Sequence, residues 1–307
     1  MASPEFDALV ELLAATQLSG AVPVADQRAA IDGLANLLGV AEGVAEHHVD
    51  TGGVPGRWLV PAPTSPSDPV AVLWLHGGGY NIGSSTSHRA AASVVAAALG
   101  HPVLVPDYRL APEHPWPAAT QDAATVWHWL LDQGRTATDV GVVGDSAGGG
   151  LALALTQRLA AGGGDVPGAL ALLCPWVDLT GSVPPPPKRR DADVVLDVDQ
   201  LATWARSYAG GCALDDPGVS PLLGPLSGLP PVLIHAGGRD IILDDSVRLA
   251  EAASAAGADV ALHIEPEMIH AWHLFAAALP EATASLTEVA AWLGGHLGGP
   301  GSGGHRG

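Results

Sequence analysis

Six short apolar runs, separated by longer stretches of helical character, constrain this chain more than any other feature. They are Val70 to Leu75, Pro102 to Val105, Val140 to Val143, Ala169 to Cys174, Val232 to His235 and Val260 to Ile264. Runs this short and this rich in Val and Leu suit strands buried on both faces. Between and after them, Ser87 to Leu99, Ala118 to Asp132, Ala147 to Ala161, Asp244 to Ala256 and Pro280 to Leu297 read as helices. Strand alternating with helix implies an α/β fold, a mostly parallel sheet wrapped by helices. His47 to Asp50 and Arg57 to Pro61, split by Gly52-Gly53, read as an antiparallel hairpin at one edge and bring the expected strands to eight.

Two segments break the alternation. Residues 1–45 read as two helices, with Phe6, Leu9, Leu12 and Leu13 and then Ile31, Leu34, Leu37 and Leu38 at helical spacing. Residues 182–215 open on Pro184 to Pro187 and continue as an amphipathic helix with Leu201, Trp204, Ala205 and Tyr208 on one side. Both segments are candidates for a cap over a sheet built from residues 46–181 and 216–297; the proline run reads equally well as an exposed linker. The tail from 298 to 307 is mostly glycine and is expected to be disordered.

The net charge is −19, with one lysine, Lys188, and no cluster of arginines. That balance disfavours nucleic acid and anionic membranes, which reward basic patches. Solubility, genome composition and a saline habitat all account for the acidity. No apolar run approaches the roughly 18 residues of a membrane span, and the acidic start Met1 to Asp7 does not read as an export signal. A cytoplasmic location is the expectation. Two cysteines, Cys174 and Cys212, are too few for a disulfide framework, and Cys174 reads as a small buried hydrophobe.

Chemistry concentrates at loop positions after the runs. Gly144-Asp145-Ser146-Ala147-Gly148 sits where a strand gives way to a helix, the setting of a nucleophile elbow, in which a strained turn exposes a serine hydroxyl. Upstream, Val70 to Leu75 leads into His76-Gly77-Gly78-Gly79-Tyr80, a loop whose backbone amides can approach a ligand closely. A phosphate loop is excluded because neither Gly-Lys-Ser/Thr nor the dinucleotide glycine spacing is present. An activated serine needs a base, and the base an orienting acid. Asp240 follows the run Val232 to His235, whereas Asp244 and Asp245 open a helix, where capping and the helix dipole explain them. After the next run, Glu265 to His270 delivers a histidine at the matching place. Of the 13 histidines, His235, His263 and His273 are expected to be satisfied structural residues. Asp145 reads as a structural hydrogen-bonding residue. Adjacent His47-His48 point to opposite faces of a strand and make no metal site, so no metal or cofactor is expected.

Taken together, His76 to Tyr80, Asp107 to Glu113, the elbow with Gly149, Asp240 in its glycine-rich loop and His270 resemble the hormone-sensitive-lipase-like group of bacterial esterases. The resemblance runs from about residue 45 to 297. It implies an α/β-hydrolase fold with a cap made of the N-terminal helices and an insertion after the sixth strand. It also implies oxyanion amides at Gly78, Gly79 and Ala147, a mainly structural Asp107-Tyr108-Arg109 segment, and an aromatic at Tyr80. Tyr80, Trp204 and Tyr208 are the candidates for contact with substrate. The activity implied is carboxylic ester hydrolysis through an acyl-enzyme on Ser146, with His270 as base and Asp240 as acid, and the apolar, tryptophan-containing cap helix suggests uncharged acyl groups of short to medium length. Lactone or amide hydrolysis and acyl transfer would use the same groups; a non-catalytic receptor would lack the histidine. A small-molecule ester is thus the expected partner, with a homodimer compatible with helical outer layers.

Overall fold

Every apolar run named above lies in one eight-stranded sheet of the computed structural model, which describes residues 2–15 and 22–298. The chain enters through two helices, α1 (Pro4–Ala15) and α2 (Val24–Ala35), and an antiparallel hairpin, β1 (Val44–Asp50) and β2 (Pro55–Pro61). Strand and helix then alternate through β3 (Ala71–Leu75), α3 (Ser85–Leu99), β4 (Val103–Pro106), α4 (Ala118–Asp132), β5 (Val140–Asp145), α5 (Ala147–Ala161) and β6 (Ala169–Leu173). Between β6 and the next strand lie α6 (Pro187–Ala192) and α7 (Val198–Ala209). The chain closes with β7 (Val232–Gly237), α8 (Leu243–Ala255), β8 (Val260–Glu265) and α9 (Pro280–His296). The strand order is β1-β2-β4-β3-β5-β6-β7-β8, parallel from β4 to β8 and antiparallel where β2 meets β1 and β4.

Alternation along the central strands sorts the core into two faces. Val72 and Trp74 of β3, Val143 of β5 and Ala171 and Leu173 of β6 pack under α3 and α9, joined by Phe6 of α1. Leu73, Leu75, Val142, Leu170 and Leu172 point the other way, beneath α4, α5 and α8, in a cluster that also takes in Trp204, Ala205 and Tyr208 of α7. The two N-terminal helices therefore part company. Ser3, just before α1, bonds Glu281 in the first turn of α9, whereas Arg28 of α2 donates to the carbonyls of Asn81 and Ala111 and pairs with Glu113.

Local chemistry sets the ends of the helices. Ser84 and Ser87 form a reciprocal capping box, so α3 begins before the apolar periodicity predicts. Within the proline run, α6 starts on Pro187, whose missing amide hydrogen costs nothing at a first helical position. For α7, the Asp197 carboxylate accepts the amides of Asp199 and Gln200, and Gly210 ends the helix in the left-handed region at φ 59°.

One expectation fails. The apolar composition of Val260 to Ile264 suits a strand buried on both faces, but β8 contains no buried residue: Val260, Ala261 and Leu262 are half-buried, and His263, Ile264 and Glu265 are exposed. Among the described residues it is the outermost strand, paired only with β7, and its apolar composition does not reveal that. The expected disordered tail falls, apart from Gly298, outside the described residues.

These positions differ sharply in what truncation should cost. Leu172→Ala, in the fully buried centre of β6, is expected to lower unfolding free energy by about 2–5 kcal/mol. Ile264→Ala, 40% exposed on β8, should stay within about 0.5 kcal/mol. Urea unfolding of the two variants measures both, and equal losses would contradict the edge placement of β8.

Candidate active site

The turn between β5 and α5 carries a serine that its backbone does not favour. Ser146 sits at φ 52°, ψ −122°, a region non-glycine residues rarely occupy and hold only where the surroundings enforce it. Here its amide donates to Leu173 O at 2.9 Å, while its carbonyl accepts the amides of Gly149 and Trp176, each at 2.9 Å. Gly148 explains why the turn needs small residues: a Cβ there would collide with the carbonyls of Leu75 and His76. The start of α5 is thus pressed against the end of β3.

Ser146 Oγ lies 2.9 Å from His270 Nε2, and His270 Nδ1 lies 2.8 Å from Asp240 Oδ2. His270 follows β8 and Asp240 follows β7, so three parallel strands deliver the three side chains at one end of the sheet. All three residues are buried, Ser146 being 7% exposed. Burial works to lower the His270 pKa, but the negative charge of Asp240 and its hydrogen bond, with Asp193 and Asp145 further off, outweigh it and raise the pKa above 6.5. The remaining Asp240 oxygen, Oδ1, accepts the Ile242 amide at 2.9 Å. With Nδ1–H donated to the carboxylate, Nε2 is free to accept the serine proton. The constellation can therefore activate a hydroxyl for attack on an electrophilic carbon.

Facing the serine, the glycine loop after β3 adopts left-handed backbone at Gly78 (φ 111°) and Gly79 (φ 60°). Among the described residues, no backbone acceptor takes up the amides of Gly78, Gly79 or Ala147. Asp145 fixes this loop to the elbow. Its Oδ1 accepts Trp74 Nε1 at 2.9 Å and the Gly77 amide at 3.1 Å, and its Oδ2 meets His88 Nε2 at 3.1 Å. Burial works to raise the Asp145 pKa, yet His88 and the Trp74 hydrogen bond bring it below the usual carboxylate value. Tyr108 donates to the His76 carbonyl at 2.6 Å and stacks on the His76 ring, whose pKa burial and His88 lower to about 4. Arg109 forks onto Asp122, and Asp107 receives the amide and hydroxyl of Ser85.

The aromatic candidates take two positions. Tyr80 and Tyr208 stack with ring centroids 3.7 Å apart, both buried, and burial raises both hydroxyl pKa values. Trp204 lies over the glycine loop, close enough that a Cβ on Gly79 would strike its ring. Asn81, which the sequence reading passed over, ties α7 to the loop: its Nδ2 donates to Gly79 O at 2.6 Å and its Oδ1 accepts Ser207 Oγ at 2.6 Å.

Several sequence readings need correction. Asp245 does not cap α8; its Oδ2 accepts the amides of Val177 and Asp178, each at 2.9 Å, and burial pushes its pKa up to about 7. Asp244 pairs with Arg189. Among the described residues, His273 finds no hydrogen-bond partner for either ring nitrogen and is held by packing, its ring 3.8 Å from that of Trp272. His235 is half-satisfied, its Nδ1 bonded to Ser285 Oγ at 2.8 Å. Potential metal ligands converge, within 4.8 Å of one another, in two groups among the described residues. One is Cys174, Asp240 and His270, where burial and then Asp240 hold the thiol protonated; the other is His235, His263 and Glu288 at the sheet edge. The second group joins β7, β8 and α9 and was not foreseen, because no local spacing links its members.

Residues 72–274 match the family described as alpha/beta hydrolase fold. The chain is 36% identical over 293 residues to an acetyl-hydrolase of Streptomyces hygroscopicus, covering 95% of this chain and 97% of that protein. A crystal structure of an esterase from the bacterial hormone-sensitive lipase family superposes with a TM-score of 0.92 at 33% identity, covering 97% of this chain and all of that one (100%). The structure of EstE5 soaked with p-nitrophenyl butyrate gives a TM-score of 0.89 at 33% identity over 96% of this chain and 99% of that one.

The contact between Gly79 and Trp204 yields a paired test. Gly79→Ala, whose Cβ would strike the Trp204 ring and displace the loop beside Ser146, is expected to lower ester turnover by about 10²-fold. Adding Trp204→Ala removes the ring and should recover part of that loss, leaving only the backbone strain of a left-handed alanine. A double variant no better than Gly79→Ala on an aryl ester would rule out the ring as the obstacle.

Proposed function

The chain belongs to the alpha/beta hydrolase fold family, among its hormone-sensitive-lipase-like esterases, and on that premise we propose that Ser146, His270 and Asp240 carry out its carboxylic ester hydrolysis. The observation that carries the assignment is the unbroken pair of hydrogen bonds from Ser146 through His270 to Asp240. His270 Nε2 takes the hydroxyl proton as Ser146 Oγ bonds to the ester carbonyl carbon. The C=O electron pair moves onto oxygen, where the amides of Gly78, Gly79 and Ala147 receive it. Collapse expels the alkoxide, which leaves as alcohol with the proton from His270. Water repeats the sequence on the acyl-enzyme, releasing the acid and restoring the serine. Asp240 keeps Nδ1 protonated and stabilises the transient imidazolium. One chain supplies every group.

Uncharged acyl groups of short to medium length fit this site best. Trp204 beside the glycine loop presents an apolar wall, and a relative named acetyl-hydrolase and a neighbour soaked with a butyrate ester point the same way. We assign α2, α6 and α7 to the cap, because Arg28 and Asn81 join α2 and α7 to the segment that carries the glycine loop. Among the described residues no helix is long and apolar enough to cross a membrane. Both cysteines are unpaired, as in a reducing compartment, and a cytoplasmic site of action is part of the proposal.

Ser146→Ala is expected to lower kcat on p-nitrophenyl esters by at least about 10⁴-fold, with KM little changed. Wild-type rates in that variant would end the assignment. Asp240→Asn should cost far more than Asp244→Asn, and the reverse order would move the acid. Because His270 must be neutral to accept the serine proton and its pKa is raised, kcat/KM should fall with acidification through a midpoint above about 6.5. A pH–rate profile with a midpoint well below that value would contradict the charge arrangement around the imidazole.

A further inference from the structure

The loop that bears the triad acid is fastened by the segment lying between β6 and β7 in sequence. Asp193, between α6 and α7, has a buried carboxylate that meets three backbone amides. Its Oδ1 accepts those of Val195 at 2.8 Å and Leu196 at 3.0 Å, closing a turn in its own segment. Its Oδ2 reaches 48 residues along the chain to accept the amide of Ile241 at 3.0 Å. Ile241 directly follows Asp240. A second tie lies nearby, where Arg189 of α6 pairs with Asp244. Within the loop, Asp240 Oδ1 holds the Ile242 amide. The acid is thus gripped from its own loop on one side and through its neighbour's amide on the other.

The position is electrostatically unusual for a structural residue. Desolvation penalises a buried carboxylate, and a second carboxylate nearby adds to the penalty. Burial and Asp240 both push the Asp193 pKa up, against His270 and the amides. Around the imidazole stand the anions Asp240, Asp193 and Asp145; His273 and the Cys174 thiol are the other titratable groups nearby.

We propose that Asp193 is a positioning residue for the catalytic acid: its bond to the Ile241 amide fixes the Asp240 loop to the cap segment, keeping the carboxylate aligned on His270. The proposal rests on the assignment of Ser146, His270 and Asp240 as the reacting groups. It makes the cap segment a support of the triad as well as a wall of the substrate site.

Asp193→Asn tests it. The asparagine oxygen can keep the Val195 and Leu196 amides, which turns its NH₂ toward the Ile241 amide, donor against donor, and removes the charge. On p-nitrophenyl butyrate, kcat per folded enzyme should fall about 10- to 100-fold, as small misplacements of catalytic groups do, with KM within about threefold. The acid limb of kcat/KM should move to lower pH, because His270 loses an anion that favours its charged form. A purely structural role would lower the unfolding midpoint and leave both kinetic readouts in place. A kcat within twofold of wild type, or an acid limb that does not move, overturns the proposal. Should the asparagine variant not fold, Asp193→Glu keeps the charge with a misplaced carboxylate. It should lose kcat with the acid limb retained, and an unchanged kcat would again overturn the proposal. Ser146→Ala assayed in parallel separates the two readings. Residual wild-type activity there removes the triad assignment, whereas an inactive serine variant beside an unaffected Asp193→Asn removes only this inference.

Discussion

A buried carboxylate beside Ser146 holds the two halves of the site in register. Asp145 accepts the indole N–H of Trp74 and the amide of Gly77, and it meets His88, so β3, its glycine loop and α3 are all tied to the strand that leads into Ser146. A charge this deep persists only because its hydrogen bonds replace those of water. The same bonds set how far the loop amides lie from the serine hydroxyl, a distance that the proposed oxyanion stabilisation cannot let drift. Close backbone approach at Gly148 completes the constraint from the other side. The strained conformation of Ser146 can be sustained because both flanks are pinned.

Much of this was legible from the sequence, for reasons that differ by level. The central strands were readable because burial on both faces leaves continuous apolar runs such as Ala169 to Leu173. The edge strand β8 has a similar composition and, among the described residues, no partner on one side, so composition alone places it too deep. Ser146, Asp240 and His270 could be located because each follows a strand, and a parallel sheet brings such loops to one end. What stayed hidden depends on side chains meeting across long stretches of chain. Asp193 meets Ile241, His88 meets Asp145, and Asn81 meets Ser207, with no periodicity or motif linking the members of any pair. Asp245 was misread because an acid in a first helical turn has an adequate local explanation, which tertiary contacts with Val177 and Asp178 displaced.

The aromatic residues at the loop play two different structural parts. Tyr80 and Tyr208 stack face to face away from water, so they stiffen the junction between the glycine loop and α7. Trp204, on the same helix, lies directly over Gly79. A helix held by Asn81 and by the tyrosine stack can present the indole at a fixed height. Acyl-group discrimination by such a wall is modest, roughly 1–3 kcal/mol per methylene of misfit.

The hydrogen bond from the Ile241 amide to Asp193 also bears on how this scaffold can change. Loops over a conserved sheet are ordinarily treated as interchangeable parts, and swapping them is a common route to new substrate ranges. Here the interchangeable part contains a fastener for the loop that carries Asp240. A transplanted 182–215 segment without an acceptor at the place of Asp193 would leave a buried amide unpaired beside Asp240, so modularity in this chain ends at residue 193.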